Sequence, residues 1–291
     1  MARSASARGA RVDGARVDGA RRAAPRWERW TVTGLAAIAA GFLALPIAAI
    51  VARTVIDGSL AHALTSPVVL DALTLSLATT TVSLALTVVF GLPLAFVLAR
   101  RRFRGSWLVE VVVDLPIVLP PAVAGLALLI AFGRRGLLGG SLQAVGIEIP
   151  FTVLAVVLAQ TFVAAPFFIL SARTGIAAVD RDLEDAARVD GASEAQLFRA
   201  ITLPLAGTAI AAGLVMSWAR ALGEFGATIM FAGNVEGKTQ TLPLVVYSLF
   251  QGGDLDGSIA AAAILVLAAV GVLVAVRFLH WGRVFELRSL G

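Results

Sequence analysis

The chain has 291 residues, of which 58% are hydrophobic and only 15% charged, and its mean hydropathy is +0.89. A soluble chain of this length could not bury so much apolar side chain in one core, so the composition points to a membrane protein. The net charge of +5 does not point to nucleic acid, because the basic residues cluster beside apolar stretches with no nucleic-acid-binding motif among them. Disulfides, thiol catalysis and cysteine metal sites are excluded by the absence of Cys. His62 and His280 lie far apart without metal-ligand spacing and read as interfacial side chains.

Residues 1–30 hold eight Arg and the pentapeptide RVDGA twice in tandem. They read as a disordered, basic cytoplasmic tail, with contact to anionic lipid as the functional alternative. Residues 31–281 then form the membrane domain, and 282–291 a short cytoplasmic tail. Thr31–Ala52 is free of charge and long enough to cross a ~30 Å hydrocarbon layer. Further spans are predicted at Asp71–Ala99, Leu108–Phe132, Pro150–Ala172, Leu205–Phe231 and Ser258–Val276. The fold class is therefore all-α, a polytopic bundle of six transmembrane helices. The third span is interrupted by Asp114, Pro116, Pro120 and Pro121, which predicts a kinked or partly unwound segment. Irregular backbone at membrane depth must face protein or a water-filled pathway.

Lys and Arg counts set the orientation. With the N-terminus inside, nineteen fall on the inner side and three, Arg134, Arg135 and Lys238, outside, leaving aside Arg53 and Arg220 in or at the ends of spans. This bias places both termini in the cytoplasm of a multi-pass cell-membrane protein. It also places there the charged stretch 180–204, which reads as two short helices and a turn. Asp182 is the expected cap of the first, with Leu183, Ala186 and Ala187 on its apolar face. Gly191 stands where a left-handed stop is needed, and Ser193 with Gln196 forms a capping-box pattern. Leu197, Phe198 and Ile201 give the second helix its apolar face, and Pro204 opens the next.

The spacing Asp185-Ala186-Ala187, three residues, Gly191, nine residues, Ile201-Thr202-Leu203-Pro204 resembles the EAA loop of ABC-importer permeases. Asp185 stands where that family usually has Glu, and Glu184 lies one position earlier. The resemblance implies that Glu184, Asp185, Ala186, Ala187, Gly191, Ile201, Leu203 and Pro204 form a coupling segment against a cytoplasmic ATPase.

The fifth predicted span carries Arg220 and Glu224, four apart and so on one helical face. Charges at this depth usually point into the bundle or a water-filled cavity. Two readings stay open: Arg220 lines a pathway for an anion with Glu224 as its counter-charge, or the two pair with each other or with Asp114 and hold the bundle together. With Pro120 and Pro121 these residues form the candidate pathway set. No catalytic or metal constellation is present. The run Gly233–Thr239 is one residue short of a phosphate loop, lies in an outer loop and lacks a βαβ setting.

Trp218–Asn234, continued by Lys238–Leu244, resembles the fifth-span signature of molybdate and tungstate permeases, as do Leu119–Leu126 and Gly133–Gly136. Sulfate and thiosulfate permeases share part of this pattern, while Met230–Asn234 and Gln240 favour molybdate. The resemblance implies a type I importer permease with a cytoplasmic coupling helix and no ATPase site of its own. It implies a homodimer in the lipid bilayer, a partner ATPase that binds ATP and Mg, and an extracytoplasmic oxyanion-binding protein. Its alternatives are a sulfate or thiosulfate permease and, in another class, a stand-alone ion channel or secondary transporter.

Overall fold

A computed structural model describes the backbone of residues 26–288 and the side chains of residues 30–274. The basic tail expected at 1–30 lies outside the described residues as far as 25. The helix α1 (Arg26–Ile56) already includes 26–30, and the helix α14 (Leu255–Arg288) continues through residue 281. Between them come α2 (Ser59–Thr65), α3 (Pro67–Arg100), α4 (Ser106–Val118), α5 (Pro121–Phe132), α6 (Gly139–Ala144), α7 (Val153–Ala177), α8 (Arg181–Val189) and α9 (Glu194–Leu197). A π-helical turn (Phe198–Thr202) leads into α10 (Leu203–Leu205), α11 (Gly207–Leu222), α12 (Gly226–Phe231) and α13 (Leu242–Gln251). No strand occurs among the described residues. The chain divides into two units, Met1–Pro46 and Ile47–Gly291. Of the first, the described part is apolar helix; the site lies wholly in the second.

Among the described residues, four helices are long and apolar enough to cross a membrane: Trp30–Ile56, Pro67–Arg100, Val153–Ala177 and Leu255–Val274. Glu194–Leu205 with Gly207–Leu222 makes a fifth only as a pair bent by 72°. The first, second, fourth and sixth predicted spans thus appear as continuous helices, with Pro93 and Pro166 absorbed inside α3 and α7. The third and fifth predicted spans are not single helices. The third is split into α4 and α5 at Leu119 and Pro120, both with ψ of 133°. A proline disfavours helical geometry in the residue before it, so two in succession hold Leu119 and Pro120 extended, and Pro121 then opens α5, where its missing N–H costs nothing. Pro116 lies within α4 and does not break it. The fifth ends at Leu222, and α12 begins only at Gly226.

The second unit is organised around α7. Ala155, Ala159, Ala164 and Ala172 are fully buried along it. Small residues let helix backbones approach closely, which is the main source of association where lipid is as apolar as the side chains. One face of α7 packs Phe168, Ile169, Ala172 and Ile176 against Ala95 of α3 and Ile210 of α11. Further along, Ala155, Val156, Ala159 and Val163 pack against Ala124 and Leu128 of α5 and Ala227 and Phe231 of α12. Hydroxyls cross the α3–α7 seam: Thr161 Oγ1 donates to Ser83 Oγ at 3.0 Å, and Gln160 Nε2 to Thr80 Oγ1 at 3.4 Å. Such bonds contribute on the order of 0.6 kcal/mol each in a membrane.

Candidate functional site

The stretch 180–204 folds as two short helices and a turn. The first cap is Asp180, not Asp182: the Asp180 carboxylate accepts from the Asp182 N–H at 3.0 Å, and Asp182 lies in the first turn of α8, where an acid complements the helix dipole. Gly191 has φ +87°, the left-handed conformation expected of it. The capping box is complete: Gln196 N–H donates to Ser193 Oγ at 3.3 Å, and Gln196 Oε1 accepts from the Ser193 N–H at 2.9 Å. Leu197 is buried, and Phe198 sits edge-on to Phe96 of α3, ring centroids 5.3 Å apart.

The burial pattern of α8 differs from the expected apolar face. Leu183 is 51% exposed, whereas Glu184 is 3% exposed. Glu184 Oε1 accepts from Arg100 Nη2 at 2.5 Å and from Thr202 Oγ1 at 2.8 Å. Arg100 Nη2 also donates to the Val179 carbonyl at 3.3 Å. A carboxylate, the end of α3 and the entry to α10 thus form one buried polar knot. Arg100 and Thr202 were not among the sequence candidates for this role, and with Arg100 84 residues from Glu184 no local pattern announces the pair. Asp185, by contrast, is exposed, paired with Arg188 at 2.7 Å. Arg188 also holds Glu194 at 2.8 Å, so one guanidinium spans the turn from α8 to α9. Its hydrogen bond keeps the Glu194 carboxyl below the usual glutamate range, against a smaller opposing effect of desolvation. The same contacts push the Arg188 guanidinium pKa upward, Glu194 first among them. Ala186 and Pro204 are exposed; Ala187, Ile201 and Leu203 are half-buried.

The pathway candidates converge in part. Arg220 Nη1 lies 2.6 Å from Glu224 Oε2, an ion pair in which the arginine side chain is 28% exposed and the glutamate 1%. The other oxygen, Oε1, accepts the Ala227 N–H at 2.7 Å. Glu224 therefore sits in the break between α11 and α12, paired backward to one and capping the other. Close backbone contact brings in Pro121. A methyl added at Gly226 would meet Pro121 Cβ at 2.8 Å, and one at Gly125 would meet the Ala227 carbonyl oxygen at 2.6 Å. The break after Leu119 and the break after Leu222 thus lie together. Asp114 does not join the Arg220–Glu224 pair. It lies on α4, and its Oδ1 is buried without a hydrogen-bond partner among the described residues.

On the far side of α7 from the charged loop, Arg134 pairs with Glu148 at 2.8 Å, both exposed. Lys238 and Arg135 are exposed. Gln240 Nε2 donates to Ser248 Oγ at 3.3 Å, and Asn234 Nδ2 to the same hydroxyl at 2.7 Å. Gln240 thus fastens the 232–241 loop onto α13.

The family described as binding-protein-dependent transport system inner membrane component matches residues 91–281. The chain is 43% identical over 253 residues to the molybdenum transport system permease protein ModB of Mycobacterium bovis, covering 87% of this chain and 93% of that one. It is 36% identical over 239 residues to the molybdate/tungstate transport system permease protein WtpB of Pyrococcus abyssi, covering 82% and 90%. Among solved structures it resembles a bacterial ABC transporter involved in the import of the acidic polysaccharide alginate. There the TM-score is 0.62 at 18% identity, over 87% of this chain and 97% of that one, and the likeness carries the fold alone.

Proposed function

The chain belongs to the family of binding-protein-dependent transport system inner membrane components, and from that premise we propose that it is the permease subunit of an ATP-driven importer of molybdate or tungstate. The observation that carries the substrate is identity of 36–43%, over most of the chain, to relatives named for molybdenum, molybdate or tungstate transport. This favours those oxyanions over sulfate or thiosulfate. ABC-type architecture supports a role for this chain as pathway and coupling element, with ATP and Mg held by a separate ATPase.

Two copies of the chain enclose the pathway, with an oxyanion-binding protein outside and the ATPases beneath. Both termini and the 180–204 loop face the cytoplasm, as the basic-residue bias supports. The exposed Leu183, Asp185, Ala186 and Val189 of α8 enter a cleft on the ATPase. Small side chains there permit close approach, and Asp185 fixes the register through a charge it can share between Arg188 and the partner. Motion of the loop reaches α3 through Glu184 and Arg100. The buried knot supports this transmission, because a carboxylate held by two donors resists sliding more than an apolar contact does.

At the paired helix breaks, Arg220 offers a passing dianion a half-exposed guanidinium, and Glu224 neutralises it between passages. A pathway residue must release its ligand, so a shared charge suits transport better than a free one. The test is ATPase activity of the reconstituted complex of this chain, its ATPase and its binding protein, with molybdate, tungstate or sulfate added separately. Stimulation by molybdate and tungstate is expected. Stimulation by sulfate alone would replace the substrate, and failure of any ATPase to associate would overturn the reading as a whole.

A further inference from the structure

Where α3 ends, α4 begins and α7 meets α8, the fold encloses a cleft of about 430 Å³ whose lining includes five arginines. Two already have carboxylate partners: Arg100 holds Glu184 at 2.5 Å, and Arg173 holds Glu110 at 2.9 Å. Arg101, Arg102 and Arg181 form no ion pair among the described residues, although the Arg101 charge is felt at Glu194. Ser106, the first residue of α4, adds a hydroxyl to the wall. The lining of this cleft therefore holds five arginines against one carboxylate, Glu110, in a concave, partly enclosed place, although Arg101 and Arg181 also border an adjoining cleft that carries Glu184, Asp185 and Glu194. Planar guanidinium forks suit phosphate oxygens, which they can grip two at a time.

Of α4, Ser106 and Glu110 line the cleft, and the adjoining face of that helix is a mostly apolar, exposed stripe. Trp107 follows Ser106 and is 67% exposed, and Val111, Leu115 and Val118 continue the same side of α4, all exposed, with the half-buried Asp114 at its edge. A tryptophan at the boundary between a basic cluster and an apolar face is the usual arrangement at the headgroup level of a bilayer. Phosphate alone would satisfy the arginines and leave the stripe bare. A purely apolar partner would cover the stripe and leave the charge. We infer that this cleft is a binding site for an anionic phospholipid, its headgroup phosphate on Arg101, Arg102 and Arg181 and its acyl chains along the Trp107–Val118 face of α4.

The inference rests on the proposed inward placement of the 101–105 loop, which can be measured separately. The chain has no native Cys, so an Arg104→Cys reporter should react with a membrane-impermeant maleimide from the cytoplasmic side only. Reaction from outside would overturn the topology and with it the inner-leaflet site. For the site itself, the intact complex with its ATPase is titrated with phosphatidylglycerol and phosphatidylcholine of identical chains, and bound lipids are counted by native mass spectrometry. Each arginine near a charged headgroup contributes roughly a fivefold preference, so the wild type should favour phosphatidylglycerol at least tenfold. Arg101→Gln/Arg102→Gln/Arg181→Gln should bring the preference to within about twofold, while Arg134→Gln/Arg135→Gln should leave it unchanged. Arg181→Gln alone should cost about fivefold, which keeps the test open if the triple variant does not assemble. Retained preference in an assembled arginine-cleft variant would refute the site. So would displacement of the lipid by inorganic phosphate or molybdate at equal concentration, since the ligand would then be a free anion.

Discussion

Two buried glutamates organise this molecule, and they do opposite things. Glu184 and Glu224 are 3% and 1% exposed, and each is ion-paired with an arginine and accepts a hydrogen bond from a second residue. The partners of Glu184 come from residues 84 and 18 positions away, so that carboxylate ties separate elements together. The partners of Glu224 lie four and three positions away, so that carboxylate shapes a single bend. Burying a charge is costly in either place. At Glu184 the return is a rigid connection between α3 and the 180–204 loop proposed to dock on the ATPase. At Glu224 it is an interrupted helix, the irregular backbone that the proposed pathway would use.

The largest effect should follow from Glu184→Ala. It leaves Arg100, whose side chain is 10% exposed, without its counter-charge, and removal of one member of a buried pair costs roughly 3–5 kcal/mol. Thermal unfolding of the purified chain should drop accordingly, or the complex should fail to assemble with its ATPase. Glu224→Ala should destabilise less, by about 1 kcal/mol for the lost helix cap, because Arg220 is 28% exposed and can turn toward water. Its main effect should fall on molybdate uptake at unchanged assembly. Equal loss of stability in the two variants would end the distinction between a tie and a bend.

Gly191 tests the tie from the other side. Its φ of +87° costs a residue with a Cβ roughly 1–2 kcal/mol, while no neighbour lies within 4 Å of an added methyl. Gly191→Ala should therefore act through backbone strain alone. Reduced substrate-stimulated ATPase with normal expression is the expected result. Unchanged coupling in a well-assembled complex would mean that the turn tolerates another shape.

The difference between the two glutamates also explains what could be read from the sequence. Gly191, Ser193 and Gln196 lie within five residues of one another, and their roles are legible because capping chemistry is local. The pairing of Arg220 with Glu224 is legible for the same reason. The breaks that the sequence reading missed or only half anticipated have mixed causes. Pro120 and Pro121 announce one, whereas at the gap at Gly223–Phe225 the local contacts of Glu224 are joined by close packing of Pro121 and Ala122 against Gly226, a hundred residues away. The inward turn of Glu184 was hidden altogether. Helical periodicity marks Leu183, Ala186 and Ala187 as the buried face, and only Arg100 and Thr202, brought in by the tertiary fold, reverse that preference.

The smallest expected effect concerns the turn that carries the proposed docking surface. Arg188 bridges Asp185 and Glu194, and its hydrogen bond lowers the Glu194 pKa from 4.5. A carboxyl whose pKa is lower folded than unfolded contributes stability that is fully present above the unfolded value. That contribution is lost as pH falls through the folded one. The α8–α9 turn should therefore be indifferent to pH between about 5 and 8 and should loosen only in acid below about 4.5. Both partners are largely solvent-exposed, so the change is local and does not unfold the bundle. Pepsin cleavage within 181–197 should rise in the wild type only below that range. Glu194→Gln, which removes the titrating group, should already be cleaved faster at pH 5.5 and show no further step. Indistinguishable profiles would mean that Ser193 and Gln196 hold the turn unaided, which would leave Glu184 and not the Arg188 bridge as the element that fixes the loop.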